Sequence, residues 1–355
     1  MLPPVPKTGG RFSICSSIAF TPRREERSRP MKPRYILGFV ILAGAALGVA
    51  TLASTGQSKA DTKQSISSWS SLLTAEKLYD RLLDPHLLII DVRPEDQYAE
   101  GHIPGAINIP GVEWRTPGAR PGEGDSQYIF RDRNDQMDIA RYEELLSTYG
   151  VRNDHRIVIY GHHGGTANGS IPAMLLDMLG HDEVAFLDGI GVNEWQNYGL
   201  SLGSDATTLP RSRYRVENAR TERMWNLENV LENLENDQVV FHDTRSIGEF
   251  EGTSLRNNAY GGRIPGAQLL DYAAFFKDES HCTVDPETAR AKLIDAGITP
   301  DKKVVLYCQT STRVSLPYLI MKDLGYENII VYDASWHEYG NRDDVPIEQK
   351  VSRNP

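Results

Sequence analysis

Cysteine is scarce in this chain: 355 residues contain three, Cys15, Cys282 and Cys308. So few, so widely spaced, exclude a disulfide framework and leave at least one cysteine needing another explanation. Positive charge is also short. The formal net charge is −10, which argues against a nucleic-acid partner. Much of the basic charge sits before residue 60 (Lys7, Arg11, Arg23, Arg24, Arg27, Arg29, Lys32, Arg34 and Lys59, against Glu25 and Glu26), so the remainder is more acidic still. No metal, nucleotide or flavin fingerprint occurs, so neither a metal nor another cofactor is expected.

Long apolar runs are missing too, with one exception. Tyr35–Ala53 is nineteen residues without a charge, behind the basic stretch 1–34. Segment 35–60 therefore reads as a signal-peptide core or a membrane anchor. The length of the run favours an anchor, while its Gly and Ala content and Ser58-Lys59-Ala60 favour cleavage. Met31 opens a compact basic n-region of its own. Either way the basic flank stays in the cytoplasm and the body is exported, to the periplasm. Contact with a membrane is expected only through residues 35–53, if they are retained. The remaining length, 40% apolar and 24% charged overall, suits a soluble body of about two domains.

That body repeats itself. Leu88–Arg93 is a strand ending in D-x-R, and Val239–Arg245 does the same. Gly101-His102-Ile103-Pro104-Gly105-Ala106 matches Gly262-Arg263-Ile264-Pro265-Gly266-Ala267. Strand Ile157–Tyr160 parallels Val304–Tyr307, and each leads through a polar loop into a helix, Ser170-Ile171-Pro172 to Gly180 and Ser315-Leu316-Pro317 to Gly325. Ser suits an N-cap, Pro the first turn and Gly the position past the end. Phe186-Leu187-Asp188-Gly189 and Val331-Tyr332-Asp333-Ala334 follow, each a short strand and a turn. Short β-branched strands alternating with capped helices imply an α/β fold, a parallel sheet with helices on both faces, twice over. The expected domains are 68–204 and 216–350 with a linker at 205–215. Trp114–Arg133 and Thr253–Gly262 read as loops.

In such sheets ligands bind at the carboxyl ends of the strands. There the second domain has the loop Cys308-Gln309-Thr310-Ser311-Thr312-Arg313. A loop curling into a helix N-terminus turns several backbone N–H groups toward one point, a nest for a small anion. A cysteine at that point has its thiolate favoured by the amides, the helix dipole and Arg313, which makes it a nucleophile.

With these motifs in this order and duplicated, residues 70–350 resemble the tandem rhodanese-type sulfurtransferases, the thiosulfate and 3-mercaptopyruvate group. The carriers are D-V-R with G-H-I-P-G-A, then D-T-R, F-E-G-T (Phe250–Thr253), G-R-I-P-G-A, C-Q-T-S-T-R and Y-D-A-S-W (Tyr332–Trp336). The resemblance implies that a persulfide forms on Cys308 from a small anionic donor and passes to a thiol or cyanide-like acceptor, with Gln309–Arg313 as cradle. It implies a silent first domain, since Gly161 or His163 stands opposite Cys308. Arg256 falls where 3-mercaptopyruvate enzymes place a substrate arginine. Glu249 replaces an arginine common in the family, and Arg263 is expected to offset it. Two other readings remain: a non-catalytic binding module, and an oxyanion phosphatase or arsenate reductase. The latter use C-x5-R, whereas this loop is C-x4-R. Cys282 is either a resolving thiol or a bystander.

Overall fold

The computed structural model describes residues 69–115, 130–132, 136–163 and 168–352. The basic stretch, the apolar segment 35–60 and Cys15 lie outside the described residues.

The strands assemble into two five-stranded sheets. In the first, β1 (Leu72–Leu73), β2 (Leu87–Asp91), β3 (Ile107–Asn108), β4 (Arg156–Tyr160) and β5 (Val184–Leu187) lie in the order β1-β5-β4-β2-β3. The second contains β6 (Met224–Trp225), β7 (Val239–Asp243), β9 (Gln268–Leu269), β10 (Lys303–Tyr307) and β11 (Ile329–Tyr332), in the order β6-β11-β10-β7-β9. The orders match position for position, and every pairing in both sheets is parallel.

Strand alternation divides the apolar side chains between two faces. Ile90, Ile157 and Ile159 share one core with Val240, Val304 and Leu306 of the other half, while Ile89, Val158 and Ala185 pack outward. Phe241, Val305 and Tyr307 do the same for the second half. The inner core lies around helices Ser170–Met178 and Ser315–Asp323, which pack on each other across the halves. The serines opening these helices do not cap them as expected. Gly169 and Val314 occupy the cap positions without a side-chain bond, and the Ser170 and Ser315 hydroxyls meet each other at 2.7 Å. The interface takes the hydroxyls that a solvent-exposed helix start would have used on its own amides.

The repeated motifs form the same fastening in each half. Arg93 folds back onto Asp91 (2.6 Å) and donates to the Gly101 carbonyl (2.8 Å). Arg245 binds Asp243 (2.6 Å) and the Gly262 carbonyl (2.7 Å). So D-x-R pins the turn of the G-x-I-P-G-A motif to the strand end. The stretch expected as a loop at Thr253–Gly262 is partly a strand: β8 (Tyr260–Arg263) pairs antiparallel with β12 (Glu348–Ser352). Neither strand carries an apolar alternation, and Gly261 is needed because a Cβ there would lie 2.6 Å from the Gly252 carbonyl oxygen. Among the capped helices, Asp285 accepts from the Thr288 amide at 2.9 Å and Pro286 opens the first turn. Asp285→Ala should cost about 1 kcal/mol, read as a lower urea midpoint with an unchanged slope.

Candidate active site

Cys308 follows the last residue of β10 at the centre of the second sheet and is 1% exposed. The loop after it is held by its carbonyls. The Cys308 carbonyl accepts from the Trp336 amide and the Gln309 carbonyl from the His337 amide, both at 2.9 Å. The Thr312 carbonyl accepts from the Ser315 hydroxyl at 2.8 Å. Ser311 takes a left-handed φ of 51°, unusual for a residue with a Cβ. Its hydroxyl compensates by donating to the Asp333 carbonyl at 2.6 Å. The glycine-free loop is thus held in this turn by the Ser311 hydroxyl, which also meets the Tyr332 carbonyl and the Ser335 hydroxyl at 3.0 Å.

With the carbonyls turned outward, the amides are left over. The Cys308 N–H donates to the Ser335 hydroxyl at 3.1 Å. Among the described residues, none of the five amides from Gln309 to Arg313 donates a hydrogen bond. The thiol-free loop of the first half differs: there Gly169 donates to the His162 carbonyl and Ser170 to the Asn168 side chain. Unpaired N–H groups following a buried thiol are a ready anion cradle.

The side chains sort differently from the sequence expectations. Arg313 is gripped by Glu249 through two bonds, at 2.7 and 2.8 Å. Burial alone would lower the Arg313 pKa, but Glu249 and Cys308 raise it above its usual value. Burial likewise raises the Glu249 carboxyl, yet Arg313 and Ser246 more than reverse this and bring it to about 2. The expectation that Arg263 offsets Glu249 is thus corrected. Arg263 binds Glu348 and Gln349 and lies over the Phe250 ring at 4.2 Å. It is drawn there because β8 pairs with the acidic-ended β12. Arg256 is exposed, at φ 47°, with no hydrogen bond or ion pair among the described residues. It stands two residues before Asn258, whose amide exchanges bonds with the Gln309 side chain at 2.9 and 3.1 Å. That puts its turn at the loop's edge. Thr310 and Thr312 are half-buried.

Two contributions come from residues the sequence did not single out. Arg115, in the first half, donates to the Thr312 hydroxyl at 2.8 Å. Asp271 is half-buried near Arg313; burial raises its carboxyl, and Glu249 and Asp243 add to this. Asp271 lies just past the strand Gln268–Leu269, and Arg115 closes the 3-10 turn Gly111–Trp114.

The thiol-free loop holds His162, bonded to Gln97 at 2.9 Å, and His163, packed against Phe186, Phe276 and His281. Burial brings His163 down to about 4, so it is neutral near pH 7. Among the described residues no group of three His, Cys, Asp or Glu could hold a metal ion. Cys282 is fully buried and disulfide-bonded, so it offers no resolving thiol. Cys308 is the free cysteine of the described residues.

The rhodanese-like domain model matches residues 74–198 and 226–342. The chain belongs to the rhodanese family of sulfurtransferases. A thiosulfate sulfurtransferase of Pseudomonas aeruginosa is 30% identical over 76% of this chain and 94% of its own length. One of Azotobacter vinelandii is 31% identical over 76% and 94%. A sulfur carrier protein of Thermus thermophilus is 29% identical over 78% and 95%. The anaerobic ergothioneine biosynthesis enzyme of Chlorobium limicola, solved with trimethyl histidine, shares the fold. Its TM-score is 0.63 at 22% identity, over 79% of this chain and 70% of that one.

Proposed function

We propose that this rhodanese carries sulfane sulfur on Cys308 as a persulfide, taken from a small anionic donor of the thiosulfate or 3-mercaptopyruvate type. The observation that carries the reading is the run of unpaired amides from Gln309 to Arg313 after a buried thiol. With thiosulfate, the Cys308 thiolate attacks the outer sulfur, the donor S–S bond breaks, and sulfite leaves with the bonding pair. The persulfide anion that remains is held by the unpaired amides of the loop, which need no partner exchanged to receive it. A thiol or cyanide-like acceptor then attacks the terminal sulfur and restores the thiolate.

The short C-x4-R spacing supports a sulfur atom as occupant over a phosphate. Because Arg313 is gripped by Glu249, its charge serves the pair more than the donor. Names of relatives favour thiosulfate as the first donor to test. The basic flank before Tyr35 supports an exported location, readable by fractionation of cells producing the full chain.

The test is an intact-mass spectrum after donor treatment and desalting. A gain of about 32 Da, one sulfur, located on Cys308 and removed by cyanide, is expected. No adduct from thiosulfate, mercaptopyruvate or any other sulfane donor would reject the reading.

A further inference from the structure

Four arginines are buried among the described residues: Arg93, Arg115, Arg131 and Arg245. Three have carboxylates. Arg93 has Asp91, Arg245 has Asp243, and Arg131 has Asp333 and Glu338. Arg115 has no carboxylate at ion-pair distance among the described residues, Asp333 acting on it only from farther off, although it is only 6% exposed. A buried cation without a counter-charge is costly, so its persistence asks for an anion that arrives. Its Nη2 is fixed on Thr312, in the middle of the amide cradle, and its Nε is buried without a partner. Burial lowers the Arg115 pKa, and among the charges acting against that the first is Cys308. A guanidinium nonetheless stays charged at neutral pH.

The duplication provides a control within the same molecule. The 3-10 turn Gly111–Trp114 corresponds to Tyr272–Phe275, since Gly111 donates to the Val92 carbonyl and Tyr272 to the Thr244 carbonyl. The next residue is Arg115 in one half and Phe276 in the other. Each reaches over the strand-to-helix loop of the opposite half. Arg115 meets Thr312 of the thiol loop, and Phe276 packs on His163 of the silent loop at 4.8 Å between ring centroids. The position is cationic over the loop with a nucleophile and apolar over the loop without one.

We infer that Arg115, supplied by the thiol-free half, is the anion-binding cation of the Cys308 site. Its free Nε donates to the anionic donor as it approaches, and the same charge faces the persulfide afterwards. The silent domain is thereby part of the active site rather than a spacer. This rests on the reading that Cys308 is the reacting thiol, but its test needs no sulfur donor.

The experiment compares alkylation of Cys308 in the full chain by iodoacetate, an anion, and by iodoacetamide, which is neutral. Arg115→Gln should lower the iodoacetate-to-iodoacetamide rate ratio roughly tenfold, since one nearby charge no longer attracts the anion. Arg115→Lys should keep most of the ratio. In donor assays Arg115→Gln should raise the thiosulfate KM more than it lowers kcat. A purely structural role would change both alkylation rates alike. An unchanged ratio in Arg115→Gln overturns the inference. If that variant fails to fold, Arg115→Met, uncharged and of similar length, decides: a lowered iodoacetate-to-iodoacetamide ratio supports the inference, and an unchanged ratio overturns it. Alkylation results stand even if every sulfane donor proves inert, which would sink the sulfur-carrying reading instead.

Discussion

Replacing Cys308 by serine should lower sulfur transfer at least about a thousandfold while leaving the fold in place. On the proposed reading the Cys308 thiolate is the nucleophile, and a hydroxyl in the same cradle is neutral near pH 7 and attacks sulfur poorly. The stability change should be small, within about 1 kcal/mol, because the exchange is nearly isosteric and a buried hydroxyl can find donors among the unpaired amides. A cyanide-acceptor assay with thiosulfate gives the first quantity and a thermal melt the second. A Cys308→Ser protein that stays active with the donor, or that still performs its biological role in cells, would favour the non-catalytic module instead.

Glu249→Ala should destabilise the second half by about 3 kcal/mol at neutral pH, since it leaves Arg313 largely buried without its carboxylate. The effect carries a pH signature. The Glu249 carboxyl lies at about 2 in the folded protein, below its ordinary value of 4.5. A depressed carboxyl stabilises the fold above its unfolded value and loses that contribution as pH falls through the folded one. The wild-type advantage over Glu249→Ala should therefore hold from pH 7 to about 5 and shrink steadily toward pH 2. Urea unfolding of both proteins at pH 7, 4 and 3 reads this directly. A difference that does not depend on pH would show that packing of Glu249, rather than its charge, matters.

Much of the fold was legible because its signals are local. Both sheets follow from apolar runs such as Leu88–Asp91 and Val304–Tyr307, and the duplication alone aligns D-x-R with G-x-I-P-G-A in each half. Strand β12 was not legible: Glu348–Ser352 is polar and acquires strand form only by pairing with the glycine-bearing β8. At the site, the place of Cys308 at a strand end and the course of its loop into a helix were legible from the polar stretch, Arg313 and the helix that follows. The partners of the charged residues were not. Glu249 and Arg313 are separated by sixty-four positions, and Arg115 and Thr312 by one hundred and ninety-seven. Only the tertiary fold brings those side chains together, within the second half for the first pair and across the two halves for the other. Arg263 was misplaced for the same reason, since Glu348 lies eighty-five positions away.

The mutual aspartate contacts give the duplication a further meaning. Asp333 receives the Phe130 amide at 3.2 Å, and Asp188 receives the Thr283 amide and hydroxyl at 3.1 and 2.8 Å. Each half thus anchors a crossing segment of its twin, in the manner of two subunits exchanging arms. The chain is an internal dimer whose members have parted in duty. One keeps the thiol, and the other, freed from needing a thiol, keeps the grip that shapes its sibling's rim. Cutting the molecule at the linker would leave each half dependent on its twin for the anchor of a crossing segment.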